Sequence, residues 1–346
     1  MGFWQIIGII AAVIVIVFFC MFFIVKKIID NIFKRVEKPN YSSLLQFKDV
    51  KKEYPQELLR FTSGNHTLQG YLLGKDNTKG LVVVAHGLGG GAEGYLTSIL
   101  SFVNQGYQVF AYDNTGYHLS EGKNCVGLPQ AVEDLDAALS FIEQEARFAG
   151  LPVYLFGHSW GGYAVAAVLN FNHKVKAVVS VSGFSNPNKM IVEWAKRIAG
   201  AWTYLALPFM VLHQRLFFGK KMDIMAVDGI NKADVPVLLV HGSKDPTVRL
   251  DGSATFSLKE EITNPKVQYI LWEKEQQNGH LDVLYQAGAK AYGLQISKEY
   301  SELLKKTKNK LNEEDKAEFF ANVDKERSSA PNSELMEQIV DFFEKA

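Results

Sequence analysis

A serine flanked by glycines is the first residue whose setting suggests chemistry. Ser159 lies in the segment FGHSWGG, where an apolar run ends and a run of small residues with helical character, YAVAAVL, begins. Gly157 and Gly161 leave room for a sharp turn between a strand and a helix, which would expose the serine hydroxyl. This G-x-S-x-G pattern is typical of a nucleophilic serine.

A serine hydroxyl is a weak nucleophile at neutral pH, so it needs a base and a carboxylate that orients the base. Asp245 follows the apolar run Val235 to Val240, and His280 follows the next apolar run, Val267 to Trp272. The order serine, acid, histidine, with each partner placed after a successive strand, is the order that this turn requires. We therefore predict a catalytic triad of Ser159, Asp245 and His280.

A serine attack on a carbonyl also needs N–H donors for the oxyanion that forms. The N–H of Trp160, the residue after the nucleophile, supplies the first donor. The glycine-rich segment HGLGGG follows an early apolar run, and we assign the second donor to the N–H of Leu88. A phosphate-binding loop is the rival interpretation, but the segment has neither G-K-[ST] nor a complete dinucleotide fingerprint.

The elements that must position these residues are short apolar runs alternating with segments of helical periodicity. Strands that are apolar on both faces and alternate with helices favour a mainly parallel sheet covered on both sides, an α/β fold. Such a sheet places its functional loops at the carboxyl ends of its strands. The predicted strands are Leu68 to Gly74, Leu81 to Gly87, Tyr107 to Asp113, Val153 to Gly157, Val175 to Gly183, Val235 to Gly242 and Val267 to Trp272.

Together the motifs HGLGG, DNTGYHLSEG, GHSWGG, HGSKDPTV and NGHLDV resemble the α/β-hydrolase superfamily, near its serine aminopeptidase-like and lysophospholipase-like branch. The resemblance covers the chain from about Leu68 to the C-terminus. It implies an eight-stranded sheet, a helical cap inserted after the sixth strand, and the triad and oxyanion donors named above. One departure is that Thr115 precedes Gly116, where relatives often carry an arginine, so the structure braced by that arginine must be held differently here.

The first residues predict a single membrane-spanning helix. Phe3 to Val25 contains no charged residue and would form about 35 Å of helix, enough to cross a bilayer. The run lacks the preceding basic stretch and the following small residues of a cleaved signal peptide, so we expect a retained anchor. Basic residues follow the run and none precedes it, which predicts a cytoplasmic catalytic domain.

We divide the chain into an anchor at 1–27, a juxtamembrane linker at 28–57 and a hydrolase domain at 58–346, with a cap at about 187–234. The cap is rich in large apolar residues, and three interpretations remain open: a small core of its own, the lining of an acyl pocket, or contact with lipid. Ala201 to Phe218 is a poor second span because Pro208 and Arg215 interrupt it.

Composition excludes several classes of function. Lys plus Arg and Asp plus Glu both number 37, so no net charge favours nucleic-acid binding. The two cysteines, Cys20 and Cys125, cannot build a disulfide framework, and no metal-ligand motif accompanies the eight histidines. We predict no cofactor and no metal, and the sequence specifies no oligomeric state.

Three functions remain open. The first is an esterase or lipase-like hydrolase acting on a small-molecule or lipid ester, which the anchor and the aromatic cap favour. The second is a peptidase with the same triad, which would need a cap carboxylate such as Glu193 to hold a substrate amino terminus. The third is a membrane-anchored scaffold without catalysis. Asp282 is a weaker candidate than Asp245 for the orienting acid because it falls near the start of the following helical segment.

Overall fold

A computed structural model describes residues 2–346 of the chain. Eight strands form one sheet in the order β1-β2-β4-β3-β5-β6-β7-β8. Strand β2 is antiparallel to both of its neighbours, and every other pair of adjacent strands is parallel. The strands are β1 Glu57–Ser63, β2 His66–Leu73, β3 Leu81–Ala85, β4 Gln108–Tyr112, β5 Val153–His158, β6 Ala177–Val181, β7 Val237–Gly242 and β8 Val267–Trp272.

Helices cover both faces of the sheet, and the predicted α/β architecture with a mainly parallel eight-stranded sheet is confirmed. The longer helices are α1 Phe3–Ile32, α3 Leu96–Asn104, α4 Gln130–Gln144, α5 Trp160–Ala167, α6 Pro187–Ala199, α7 Thr203–Phe218, α9 Ala289–Lys306, α10 Glu313–Ala321 and α12 Ser333–Lys345. Three short helices are α2 Phe47–Val50, α8 Ala226–Lys232 and α11 Lys325–Ser328.

Strand β5 lies at the centre of the sheet because its residues are apolar on both faces. It pairs with β3 on one side, where Ala85 faces Gly157, and with β6 on the other, where Val181 faces His158. One face of the sheet packs against α4, α5 and the end of α1, and the other packs against α3 and α12. The carboxyl ends of β3, β5, β7 and β8 therefore open toward one edge.

Strand β1 is an element that we did not predict. Its residues alternate between exposed and buried, and it pairs only with β2, so it shows no continuous apolar run. An edge strand with one solvated face carries a weaker sequence signal than a strand buried on both faces. We had assigned the beginning of this strand, Glu57, to the linker.

Helix α1, the predicted anchor, is longer than expected and ends on the body of the protein. Val25, Ile29 and Phe33 recur at the spacing of one helix face and are almost completely buried. Residues 28–32, which we placed in the linker, therefore continue the helix. The rest of that segment is also docked, because Val36 forms a β-bridge with Tyr117.

Helices α6, α7 and α8 form the insertion between β6 and β7, in the region where we expected a cap. The side chain of Asn186 caps α6 by accepting a hydrogen bond from the N–H of Lys189 at 3.1 Å. Helix α7 lies beside α1, with the rings of Phe209 and Phe18 5.2 Å apart. We call α6, α7 and α8 the cap.

Candidate active site

Ser159 occupies the turn between β5 and α5 in a strained backbone conformation. Its φ of 57° and ψ of −113° lie in a region that non-glycine residues rarely adopt. The turn is held because the Ser159 N–H donates to the carbonyl oxygen of Val181 at 2.8 Å. A side chain at Gly157 would collide with the carbonyl of Gly161, and one at Gly161 would collide with the carbonyl of Ala85. Both glycines are therefore required by close backbone packing.

Three side chains from different loops meet at this turn. The Ser159 hydroxyl donates to Nε2 of His280 at 2.8 Å, and Nδ1–H of His280 donates to Oδ2 of Asp245 at 2.6 Å. Asp245 lies on the loop after β7, and His280 lies on the loop after β8. The structure thus brings the three residues of the predicted triad into one hydrogen-bonded chain.

Asp245 is held as an anion by its surroundings. Burial would raise the pKa of Asp245, but the hydrogen bond and the charge interaction with His280 outweigh burial and lower it. Its second oxygen accepts the N–H groups of Thr247 at 2.7 Å and Val248 at 2.9 Å. An ionised, fixed carboxylate can orient His280 and stabilise its protonated form.

The two predicted oxyanion donors have no protein acceptor in the described part of the chain. Among residues 2–346, no backbone or side-chain oxygen accepts the N–H of Leu88 or of Trp160. By contrast, the neighbouring N–H of Gly87 donates to Tyr95 and that of Gly89 donates to Tyr117. Leu88 and Trp160 therefore keep free donors close to the serine, as an oxyanion site requires.

Sequence reasoning missed the structural role of His158, the residue before Ser159, which links two loops of the site. Its Nε2–H donates to the backbone carbonyl of His280 at 2.8 Å, and its Nδ1 accepts the hydroxyl of Tyr95 at 2.8 Å. The Tyr95 hydroxyl in turn accepts the Gly87 N–H at 2.9 Å. Burial lowers the pKa of His158 to about 3, so the ring stays neutral and can donate and accept at once. This chain of bonds links the oxyanion loop to the histidine loop.

A cavity of about 410 Å³ opens beside Ser159. One wall carries the candidate catalytic groups, including Ser159, His280 and Leu88, and we call it the catalytic wall. The opposite wall is formed by residues that follow α1, and we call it the N-terminal wall: Pro39, Ser42, Leu44, Leu45 and Gln46. No residue of the cap lines this cavity in the described chain, so the idea that the cap lines an acyl pocket is not supported.

The fold and the sequence both match known hydrolases. A family model described as serine aminopeptidase, S33, matches residues 76–221. The structure resembles the Pyrococcus furiosus esterase Pf2001 with a TM-score of 0.54 and 18% identity, over 79% of this chain and 98% of that chain. The chain has the α/β-hydrolase fold.

Two further proteins are similar to this chain, one in structure and one in sequence. The acylaminoacyl peptidase of Pyrococcus horikoshii matches with a TM-score of 0.50 and 19% identity, over 68% of this chain and 39% of that chain. The quorum-quenching protein AidA of Acinetobacter baumannii is 29% identical over 31% of this chain. That match spans 36% of AidA, about a third of its length. These structural likenesses show the fold, and they leave the reaction and the bond that is cleaved undetermined.

Arg35 braces the loop in which Thr115 stands at the position where an arginine was expected from the resemblance. Its guanidinium donates to the carbonyl of His118 at 2.6 Å and to the carbonyls of Ser120 and Gly122, each at 2.9 Å. The brace therefore comes from the segment after α1 instead of from the loop itself. Thr115 instead binds the buried carboxylate of Asp134 through its N–H and hydroxyl.

The carboxylates near the site are all engaged. Glu193, which we considered for holding a substrate amino terminus, accepts the hydroxyl of Ser253 at 2.9 Å and does not line the cavity. Glu93 does line it, but the ammonium group of Lys38 lies 3.1 Å away and the Phe47 N–H donates to it. Asp282, the weaker candidate for the orienting acid, pairs with Lys290 at 3.0 Å.

Two further histidines near the site, His86 and His241, have local partners. His86 accepts the N–H of Asn114 at 3.0 Å, and His241 lies 2.8 Å from the carbonyl of Val248. Burial lowers the pKa of both imidazoles. Within residues 2–346 no cluster of histidine, cysteine or acidic side chains has the geometry to hold a metal ion.

Proposed function

We propose that this chain is a membrane-anchored serine esterase whose nucleophile is Ser159. The observation that carries the proposal is the continuous hydrogen-bonded chain from the Ser159 hydroxyl through His280 to Asp245. In this function Ser159 Oγ attacks the carbonyl carbon of an ester while His280 Nε2 takes the hydroxyl proton. His280 then returns the proton to the leaving alcohol, and an acyl-enzyme forms.

Water completes the reaction by the same route. His280 removes a proton from a water molecule, the hydroxide attacks the acyl carbon, and the acid leaves as Ser159 regains its proton. The N–H groups of Leu88 and Trp160 donate to the oxyanion in both halves of the reaction. Asp245 stabilises the protonated imidazole throughout.

The charge of the cavity favours an ester over a peptide with a free amino terminus. An aminopeptidase needs a carboxylate that is free to bind the substrate ammonium group. Among the described residues, Glu93 is the one carboxylate that lines the cavity, and Lys38 neutralises it at 3.1 Å. Leu44, Leu45 and Leu88 give much of the remaining surface an apolar character, which suits an uncharged acyl group.

A peptidase is the second candidate, and the family model described as serine aminopeptidase favours it. The triad itself would serve either reaction, because both pass through an acyl-enzyme. A non-catalytic scaffold is the third candidate, and the continuous triad argues against it.

Helix α1 supports the membrane part of the proposal. Of the helices in residues 2–346, α1 alone is long and apolar enough to cross a bilayer. The basic residues Lys26, Lys27, Lys34 and Arg35 follow its apolar run, which favours a cytoplasmic position for the catalytic domain.

Labelling with a fluorophosphonate separates the enzyme from the scaffold. We expect the wild-type chain in detergent to form one covalent adduct on Ser159, and the Ser159→Ala variant to form none. Ser185→Ala is the matched control, because this buried serine lies outside the site. A wild-type chain that folds but forms no adduct would rule out both hydrolase functions.

A substrate panel separates the esterase from the peptidase. We expect turnover of p-nitrophenyl esters of graded acyl length, with Ser159→Ala as the blank, and little turnover of aminoacyl anilides. Preferential cleavage of the anilides would reject the esterase. The orientation is tested on sealed vesicles of known sidedness, where a catalytic domain digested by protease from the extracytoplasmic side would contradict a cytoplasmic location.

A further inference from the structure

The cap carries a surface of large apolar side chains that no part of the described chain covers. Trp202 is 74% exposed and Ile198 is 78% exposed, far more than is usual for side chains of this size. We call this set the outer cap surface: Ile198, Trp202, Tyr204, Leu205, Val211, Leu216 and Phe217. A group of exposed apolar side chains of this size indicates a surface that contacts a membrane, a ligand or another protein.

The position of α7 relative to α1 identifies that contact. The ring of Phe209 lies 5.2 Å from that of Phe18, and the ring of His213 lies 6.4 Å from that of Phe22. Phe18 and Phe22 belong to the uncharged run of α1 that ends at Val25. At 1.5 Å per residue, they lie about 5 to 10 Å inside the end of that run. A chain anchored by α1 must therefore hold α7 at this depth of the bilayer.

The distribution of charged residues in the cap agrees with a position of α7 inside the bilayer. No Asp, Glu, Lys or Arg occurs from Ile198 to Gln214, which includes most of α7. Charges flank this stretch on both sides, with Arg197 before it and Arg215 after it. The guanidinium of Arg215 pairs with the carboxylate of Asp223 at 2.5 Å. Its charge is therefore neutralised at the edge of the uncharged stretch. Helices that lie in a membrane interface have their apolar face buried by about 5 to 10 Å, the depth at which α1 holds α7.

A narrow apolar cavity between α1, α6 and α7 extends this surface. Its volume is about 110 Å³, and its lining includes Ile28, Trp194, Ile198 and Met210. A cavity with such a lining accepts apolar groups, an acyl chain among them. The cavity therefore continues the apolar surface, and the position of α7 beside the apolar run of α1 favours lipid as the occupant.

We propose that the outer cap surface is inserted into the lipid leaflet next to the catalytic domain, beside α1. The inference rests on the membrane anchoring in the proposed function and does not depend on catalysis. The cap is then a second membrane contact that does not cross the bilayer. This accounts for an uncharged stretch that Pro208 and Arg215 make unsuitable as a span.

Cysteine labelling of the full chain in vesicles of phosphatidylcholine and phosphatidylglycerol tests the proposal. The background carries Cys20→Ala, because Cys20 is exposed, and keeps the buried Cys125. Leu205→Cys reports on the outer cap surface. Leu294→Cys on α9 is the matched control, because Leu294 is 61% exposed and Leu205 is 58% exposed. Ile14→Cys in α1 reports on insertion of the anchor.

We expect a charged maleimide to label Leu294→Cys at least ten times faster than Leu205→Cys or Ile14→Cys. A fluorophore attached at position 205 should then be quenched by phospholipids that carry a nitroxide on the acyl chain. Fast labelling of Leu205→Cys with Ile14→Cys protected would overturn this inference and leave the anchor standing. Fast labelling of both would overturn the anchor as well. Protection of Leu205→Cys without quenching by the lipid would mean that another copy of the chain covers the surface, and would also overturn the inference.

Discussion

The two walls of the cavity beside Ser159 are built in different ways. The catalytic wall comes from loops that leave β3, β5 and β8, so hydrogen bonds between strands fix its reactive groups. The N-terminal wall comes from an irregular segment after α1, held mainly by side chains such as Arg35 and Lys38. We infer that changes on the first wall alter the chemical step, whereas changes on the second alter substrate binding.

The largest expected effect is on the catalytic wall. Asp245→Asn should lower kcat by about 10⁴-fold, because an amide can no longer hold His280 in the tautomer that accepts the serine proton. The matched control is Asp282→Asn, whose carboxylate pairs with Lys290 instead. Steady-state ester hydrolysis measures both variants. Equal losses in the two variants would mean that Asp245 is not the orienting acid.

The hydrogen bonds through Tyr95 are the next place to test the catalytic wall. Tyr95→Phe leaves the Gly87 N–H and Nδ1 of His158 without their partner. We expect the free energy of unfolding to fall by about 2 kcal/mol, because both groups are buried. We also expect kcat to fall about tenfold with little change in KM, because the His280 loop loses its alignment.

Tyr285→Phe is the control for this variant. Tyr285 lines the same cavity, and its hydroxyl makes no hydrogen bond to any described residue. Chemical unfolding and kinetics of the two variants are compared. A rise in KM at unchanged kcat for Tyr95→Phe would mean that Tyr95 acts in substrate binding. That result would contradict the inference that changes on the catalytic wall alter the chemical step.

Acid should weaken the catalytic wall through His158. Burial lowers the pKa of His158 from 6.5 to about 3. Between these two pH values, His158 is therefore protonated in the unfolded chain and neutral in the folded chain. This contribution to stability is complete above pH 6.5 and falls as the pH drops toward 3. Between pH 7.5 and pH 5.5, the neutral state of His158 should lower the free energy of unfolding by about 1.4 kcal/mol. The His158→Gln variant should not show this decrease.

His173 provides a control of opposite sign. Hydrogen bonds and charge interactions with Asp136 and Glu143 raise the pKa of His173. Its contribution is therefore present below the unfolded pKa and is lost as the pH rises through the folded value. Urea unfolding at the two pH values should move in opposite directions for His158→Gln and His173→Gln, relative to wild type. A shift of the same sign in both would contradict a neutral His158.

The smallest effect is expected on the N-terminal wall. Arg35→Ala removes three hydrogen bonds to the loop that carries His118, a residue of the cavity lining. We expect KM to rise about threefold with kcat within about twofold, because the exposed edge of the loop regains hydrogen bonds to water. Arg35→Lys should not restore KM, because an ammonium group lacks the planar fork. Lys34→Ala, an exposed neighbour, is the control, and a large fall in kcat for Arg35→Ala would contradict the division of the walls.

The parts of this molecule that could be predicted from sequence are those with a local signal. Strands β3, β5 and β7 are continuous apolar runs, and Ser159 lies in a motif whose glycines are required by packing. The order of Asp245 and His280 followed from the same motif. Their hydrogen-bonded contact is consistent with the predicted triad, while their catalytic roles stay predictions.

The parts that could not be predicted depend on contacts between distant residues. His158 reaches a carbonyl 122 residues away, and Arg35 reaches carbonyls 83 to 87 residues away. No periodicity in the sequence marks either contact. Glu193 looked suitable from its place in the cap, but Ser253 binds it away from the cavity.

The burial of Val25, Ile29 and Phe33 has a consequence for how this protein would meet its substrate. A catalytic domain on a flexible linker would adopt many orientations relative to the membrane. Here the three buried residues pack the helix against the globular body, so that few orientations are possible. In the proposed anchored state, the opening of the cavity keeps a fixed distance from the bilayer and a fixed orientation relative to it. Selection among esters would then depend on how far each ester bond projects from the lipid surface, as well as on the shape of the acyl group.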